Sequence, residues 1–247
     1  MEKFKKLLKK LNTISKKQNS KSALFIGNTK KISQLSFYNS GIREHFNFYY
    51  ISVIVYSDKI TRKICKIIDG KVDIVFYDLE KKIKSSVKNY DVNIERTIKE
   101  NIKISEKYPY KSNDITVNSA ETLISNFYKN NIAGIGGKTS LILGAGNIGS
   151  KLALKLNESG SNVHLYRRNK KKLIKIIEAI NVIKPQGTVA KSYICKNLKE
   201  ELGNADIIIN CSDKKRILKI DHIKLLKPNV FIIDIGKGMF DEKALEN

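Results

Sequence analysis

The sequence predicts an α/β protein of two domains, an N-terminal α/β domain and a C-terminal domain built on a doubly wound parallel sheet. Three observations predict it. Apolar strands alternate with helical patterns from residue 23 to residue 77; a helical stretch at 118–131 is followed by the turn AGIGGK; and the alternation then resumes around a glycine-rich turn at 144–149. Such alternation implies mostly parallel sheets, because a crossover helix brings each strand back in the same direction. With 247 residues, the chain can bury a core in each half.

Residues 1–20 read as a basic amphipathic helix with Phe4, Leu7, Leu8 and Leu11 on one stripe. Packing on the body with a solvated Lys face is favoured over membrane attachment, which needs a wider apolar face. A strand at 23–26 ends at Gly27-Asn28, and a helical pattern follows around 35–45. A second strand falls at 49–55, a helix at 60–68 stopped by Gly70, and a third strand at 72–77. Segment 79–106 is Lys-rich and weakly helical, with Pro109 as its breaker. The stretch 118–131 reads as a linker helix capped by Ser119, with Leu123, Ile124, Phe127 and Tyr128 as its apolar positions. The domain boundary is placed there, giving 21–117 and 118–247.

Composition excludes several classes. No apolar run approaches the roughly 20 residues of a membrane span, and the N-terminus lacks a secretory h-region and cleavage site. The expectation is a cytoplasmic protein. Cys65, Cys195 and Cys211 form no C-x-x-C pair, and His45, His164 and His222 have no ligand spacing, so neither a disulfide framework nor a metal site is expected. The formal net charge is +23, yet only six of the 47 basic residues are Arg and 41 are Lys. Lys is spread along the whole chain together with Ile and Asn. A nucleic-acid reader concentrates charge on one face with Arg prominent, so that role is set aside.

The most informative segment is 138–169, KTSLILGAGNIGSKLALKLNESGSNVHLYRRN. An apolar strand at 140–143 runs into Gly144-Ala145-Gly146-Asn147-Ile148-Gly149; a helix follows, Gly160 ends it, and a strand at 163–166 comes next. In this context each glycine has its own part. Gly144 permits the tight turn, Gly146 lets the backbone approach a pyrophosphate, and Gly149 lets helix and strand pack closely. The helix N-terminus offers free N–H groups to the phosphates. These features predict a Rossmann-type domain that binds a dinucleotide. The next strand ends in Arg167-Arg168-Asn169 where an NAD-specific domain places Asp or Glu. Two guanidiniums suit a 2′-phosphate, so NADP(H) is favoured over NAD. Strands at 205–210 and 230–234 end in Asn210-Cys211-Ser212 and in Asp234-Ile235-Gly236-Lys237-Gly238. Residues 210–212 and 236–238 are expected beside the nicotinamide ribose and ring, since ligands lie at the carboxyl ends of such strands. With no His paired to it, Cys211 reads as a small residue near the cofactor rather than a nucleophile.

These residues resemble the shikimate dehydrogenase-like group, which shares a two-domain plan with methylenetetrahydrofolate dehydrogenases. GKTSLILGAGNIGSKLALKL followed by HLYRRN is similar to the shikimate dehydrogenase glycine loop and its N-R-T-type motif, and ADIIINCSD with IIDIGKG is similar to the folate-dehydrogenase ending. In the N-terminal half, Gly27 and Asn28 match a G-N-P turn, and Ser33 and Ser36 stand near the substrate-clamp serines with the spacing off by one. The N-V-T-x-P-x-K motif has no match; GKVDIVFYDLEKK occupies its place, with Lys81 or Lys82 near the lysine position. The N-T-D ahead of the linker helix appears as Asn118-Ser119-Ala120, with Glu121 next. Against that layout the chain ends early, as a truncated or divergent form would.

The resemblance implies a substrate domain at 21–117 and an NADP-binding domain at 118–247, with a small polar substrate held in the cleft between them. The leading expectation is an NADP(H)-dependent oxidoreductase acting on a shikimate-like hydroxy acid. Hydride transfer at a carbinol needs a proton acceptor, for which Lys81, Glu121 and Lys237 are candidates; Ser33 and Ser36 are candidate substrate contacts. A methylenetetrahydrofolate or pterin-type dehydrogenase and a non-catalytic NADP-binding protein stay open as alternatives. A homodimer is the assembly considered.

Overall fold

A computed structural model describes residues 1–29, 37–83, 92–236 and 238–241. The chain divides into two compact units, Met1–Ser112 and Asn113–Asn247. The first contains α1 (Glu2–Lys17), β1 (Lys21–Asn28), β2 (Phe37–Asn39), β3 (Arg43–His45), β4 (Phe48–Val55), α2 (Asp58–Ile68), β5 (Ile74–Asp78), α3 (Ile94–Asn101) and β6 (Glu106–Tyr110). Its sheet runs β2-β4-β1-β5-β6, with β3 also pairing β4. The four strands β4, β1, β5 and β6 are parallel, and β2 and β3 run antiparallel to β4. The α/β fold class read from the sequence is borne out in both units.

Strand periodicity of two sorts the side chains of the first unit. Leu24, Ile26, Ile51, Val53, Val55, Val75 and Tyr77 point into a core shared with Ile64, Cys65 and Ile68 of α2 and Ile94 and Ile98 of α3. Helix α1 closes this core with Phe4, Leu8 and Leu11, spaced four and three apart. Its apolar stripe is therefore spent on the protein's own body, as the favoured sequence reading has it. The alternate strand positions carry rings instead: Phe25 stacks on Phe76 at 4.5 Å and meets Tyr50 and Tyr110 edge-on.

Three local expectations are corrected here. The helical pattern at 35–45 is not borne out: 37–39 and 43–45 are short strands, and 30–36 lie outside the described residues. Pairing with β4 wins over a weak helical period. Ser40 both donates its N–H to the Ser52 carbonyl and accepts the Ser52 N–H on its hydroxyl, which clips this segment to the sheet edge. Within 79–106 the described helix is α3 alone, and 84–91 lie outside the described residues. The Asp69 carboxylate accepts the N–H groups of Lys103, Ile104 and Ser105 and so turns the chain from α3 into β6. Pro109 does not break structure there; it sits in β6, whose one partner in the sheet is β5, and an edge strand tolerates the missing donor.

The second unit contains α4 (Ser112–Phe127, beginning at the last residue of the first), β7 (Thr139–Leu143), α5 (Asn147–Glu158), β8 (Asn162–Tyr166), α6 (Lys170–Ile183), β9 (Ser192–Ile194), α7 (Leu198–Asn204), β10 (Ile207–Asn210), α8 (Ile220–Ile223) and β11 (Phe231–Asp234). Helix α4 starts six residues before the stretch expected from the sequence, so Ser119 is an interior helical residue and not a cap. The sheet order is β11-β10-β7-β8-β9, all parallel. The chain runs outward from β7 to one side and then returns to fill the other, the doubly wound Rossmann pattern. Alternation again assigns the faces: Ile142, Ile207 and Ile209 face α4, α5 and α6, whereas Leu141, Leu143 and Ile208 face Leu202 of α7, Leu218 and Met239. Both faces are covered, as a parallel sheet requires.

Leu11 is fully buried at the centre of the α1 seam. Leu11→Ala is expected to destabilise the protein by about 2–5 kcal/mol, read as a lower urea midpoint at unchanged slope.

Candidate functional site

In the second unit the strand order reverses between β7 and β10, and their carboxyl ends, Leu143-Gly144 and Asn210-Cys211, stand side by side. The Cys211 N–H donates to the Leu143 carbonyl at 2.8 Å, and the Gly144 N–H donates to the Tyr166 carbonyl at 2.9 Å. The glycine turn is thus pinned to both neighbouring strands at the switch point, where open α/β sheets form a ligand crevice.

The glycines of the turn differ in what surrounds them. Gly144 has φ +112°, and a Cβ there would lie 2.8 Å from the Ser212 nitrogen. A Cβ on Gly149 would lie 2.1 Å from the Gly144 carbonyl oxygen. Both positions exclude any side chain because protein backbone already fills the space. Around the Cβ position of Gly146, by contrast, nothing lies within 4 Å among the described residues. Gly146 is also the N-cap of α5 and brings no side chain to its N–H groups. Of the three glycines, this one faces open space at the positive end of a helix dipole. That is the arrangement a pyrophosphate needs, so the turn fits a dinucleotide. Asn147 is exposed in the first turn of α5, whereas Ala145 is buried and Ile148 packs into the core; these two can offer a ligand backbone only.

Arg167, at the end of β8, donates from its Nη1 to the Ala145 carbonyl, which the sequence reading did not anticipate. It remains half-buried with further guanidinium donors, while Arg168 is exposed. Asn169 serves the fold as the N-cap of α6, where its side-chain oxygen accepts the Lys172 N–H at 2.9 Å.

Asn210 and Gly236, expected beside the nicotinamide, also have structural parts within the protein. Asn210 is fully buried. Its Nδ2 donates to Asp234 Oδ1 at 2.8 Å, and its Oδ1 accepts the Ser212 N–H at 3.0 Å. The other oxygen of Asp234 accepts the Met239 N–H at 2.7 Å. One amide and one carboxylate therefore tie the loops after β10 and β11 together. A Cβ on Gly236 would lie 1.9 Å from the Ser212 carbonyl oxygen, so glycine is what lets these loops touch. Sequence reasoning missed Asp234 as a partner; the signal available was a polar residue closing each of two apolar strands, IIIN and FIID. Ser212 is half-buried and its hydroxyl accepts the Lys214 N–H at 3.2 Å. Cys211 lies against Gly149, and burial pushes its thiol up to about 12. It is held as a neutral thiol at ordinary pH, in keeping with a small residue rather than a nucleophile.

The candidate proton acceptors do not gather in one place. The Glu121 carboxylate pairs with Lys155 at 2.6 Å. Lys155 is eight residues into α5, about 12 Å along the helix axis from its start, so Glu121 is held away from the carboxyl end of the sheet by a structural ion pair. Lys237, Ser33 and Ser36 lie outside the described residues. Lys81 is exposed. Its neighbour Lys82 is the organised lysine of the first unit: its ammonium group meets Asp78 at 2.7 Å, Glu80 at 3.0 Å and the Ser112 hydroxyl. The ammonium donates to Asp78 and to the Ser112 hydroxyl and forms an ion pair with Glu80. Asn28, at the carboxyl end of β1, accepts the Lys82 N–H and donates to the Glu80 carbonyl, fixing the same loop. Lys82 thus latches the loop after β5. No group of three or more His, Cys, Asp or Glu suited to a metal occurs among the described residues, and no helix there is long and apolar enough to cross a membrane.

Residues 117–247 match the family model described as D-isomer specific 2-hydroxyacid dehydrogenase, NAD binding domain. Among solved structures, the chain is similar to a dipicolinate synthase chain from Bacillus halodurans, with 16% identity, 92% of this chain and 87% of that chain covered, and a TM-score of 0.43. It is also similar to L-tryptophan dehydrogenase from Nostoc punctiforme, with 14% identity, 92% and 66% covered, and a TM-score of 0.49.

Two outcomes are expected. Asn210→Ala removes a fully buried amide with its bonds to the Asp234 carboxylate and the Ser212 N–H and should cost about 1–3 kcal/mol of stability in denaturant titration. The thiols of Cys65, Cys195 and Cys211 are raised by burial from 9.0 to about 12, about 11 and about 12. Above pH 9 the unfolded chain loses these protons and the folded chain keeps them, so stability should fall as pH rises from 9 to 12. Replacing all three by Ser or Ala should flatten that part of the stability–pH curve.

Proposed function

Since this chain belongs to the D-isomer specific 2-hydroxyacid dehydrogenase family through the NAD-binding domain of that family, we propose that it transfers hydride between NADP(H) and the carbinol or carbonyl carbon of a small hydroxy acid. Membership makes the chain a nicotinamide-nucleotide-dependent dehydrogenase; NADP as the preferred nucleotide and the hydroxy-acid substrate are the proposed part. A shikimate-like hydroxy acid falls within this class and is the narrower form that the sequence resemblance favours.

The observation that carries the reading is the open space at Gly146 between two glycines whose space is filled by backbone. Phosphate oxygens fit there against the first N–H groups of α5, with the helix dipole favouring their charge. Arg167 and Arg168, following β8, support a 2′-phosphate, since guanidiniums pair with phosphate by charge-assisted bonds. When bound, the nicotinamide supplies or accepts the hydride. The chain's own part is to hold the dinucleotide at the switch point and to fix the loops after β10 and β11 through Asn210, Asp234 and Gly236. Of the three sequence candidates for the proton acceptor, Lys237 is the one whose chain neighbours, Gly236 and Gly238, follow β11, and we assign that role to it.

Gly146 has φ −91° and ψ −158°, an extended conformation open to other residues. Gly146→Val should therefore fold and lose nucleotide binding, whereas Gly149→Ala should fail to fold properly. Arg167 also holds the turn, so Arg168 gives the cleaner test of cofactor choice. Arg168→Ala is expected to weaken NADP by about 1.5–3 kcal/mol and leave NAD nearly unchanged in fluorescence titration. Equal losses for both nucleotides would reject the NADP assignment. Turnover of NADP with a panel of 2-hydroxy acids and cyclic hydroxy acids tests the substrate class, and its absence across the panel would reject it.

A further inference from the structure

In the first unit α1, α2 and α3 all pack on one face of the sheet, the face that carries Leu24, Ile26, Ile51, Val53 and Val75. Right-handed crossovers put α2 and α3 there, because both connections step from the β4 side towards β6. The same rule gives the other face to the connection from β1 to β4, which steps the opposite way. The described part of that connection is spent on β2 and β3, paired with β4 at the sheet edge. The other face therefore has no helix of the first unit over it among the described residues, although a parallel sheet ordinarily buries both faces.

That face is aromatic. Phe48, Phe25, Phe76 and Tyr108 stand in a row across β4, β1, β5 and β6, with successive ring centroids 6.3, 4.5 and 5.9 Å apart. Tyr50 meets the row edge-on at Phe25. The three Phe and Tyr50 are half-buried, and Tyr108 is 48% exposed. Phe46, on the turn between β3 and β4, lies against His45 and is 87% exposed. A contiguous apolar patch of this kind marks an interaction surface.

Charge decides between partners. The chain carries 41 Lys and a net charge of +23, yet the four parallel strands place one lysine on this face, Lys21, and it pairs with Glu106 at 3.5 Å. Arg43 stands further out, on β3. A nucleic acid would need cations among the rings, and this face has few. It is instead where two highly basic chains can meet without setting lysine against lysine. The four strands hold five to eight residues each. At about 4.8 Å between strands and about 3.3 Å per residue they span roughly 400 Å² in plan. The relief of the rings and Phe46 add to that, towards the roughly 600–800 Å² per partner of a stable interface.

We propose that this face packs on the same face of a second copy across a two-fold axis, with the two sheets about 10 Å apart and Phe46 of each copy seated at the rim of the other. The surface includes no residue of the nucleotide turn, so it stands whether or not the NADP assignment does.

Sedimentation velocity of the full chain over a concentration series tests it. The chain should be a dimer at micromolar concentration and dissociate on dilution. Phe46 has φ +46°, a conformation that asparagine tolerates, so Phe46→Asn should fold and weaken the dimer about tenfold. Tyr108→Lys, at an exposed position beside Glu106, should melt like the parent and weaken it by about tenfold or more. Tyr193→Lys, at an exposed ring of the second unit, should leave it unchanged. The proposal is overturned by a monomer at every concentration, by a dimer that neither Phe46→Asn nor Tyr108→Lys weakens, or by dissociation of the dimer on adding oligouridylate, which would give the face to nucleic acid.

Discussion

The close approach of backbone to backbone at the carboxyl end of the second sheet is the constraint on which the site depends. Gly144, Gly149 and Gly236 each stand where a Cβ would meet main-chain atoms at 2.8, 2.1 and 1.9 Å. Without that contact the helix after β7 could not begin where it does, and its N-terminus would not point into the space beside Gly146. The buried amide of Asn210 works on the same scale, holding two loops that glycine has allowed to touch. Packing first sets the turn, and only then can a helix dipole act on a phosphate.

At the carboxyl end of the first sheet, Lys82 is held by Asp78, by the Ser112 hydroxyl and by an ion pair with Glu80, and Asn28 ties in the backbone of the same loop. A lysine held on three sides in this way fixes the loop after β5.

Much of the fold was legible because its signals are local. The glycine turn, the apolar strands of the second unit and the α1 stripe all follow from spacings within a dozen residues. What was not legible depends on distant partners. β2 and β3 are three residues each, too short for a period to show, and they exist because β4 offers them an edge. Asn210 could not be read as a tie because Asp234 lies 24 residues away. Lys81 and Lys82 are indistinguishable as letters; the fold turns the second toward Asp78 and the first to solvent. Glu121 looked like a displaced acid because the cross-helix partner Lys155 was invisible in sequence.

The bond from Arg167 to the Ala145 carbonyl joins two properties in one side chain. The guanidinium proposed to read the ribose phosphate also braces the loop proposed to hold the pyrophosphate. An acidic residue at 167, the swap that suits a free ribose hydroxyl, would set a carboxylate against that carbonyl oxygen and leave the loop unbraced. Nucleotide preference in this protein is therefore not a dial that turns alone. Any lineage that drifts from one nucleotide to the other must find a new support for the turn at the same time.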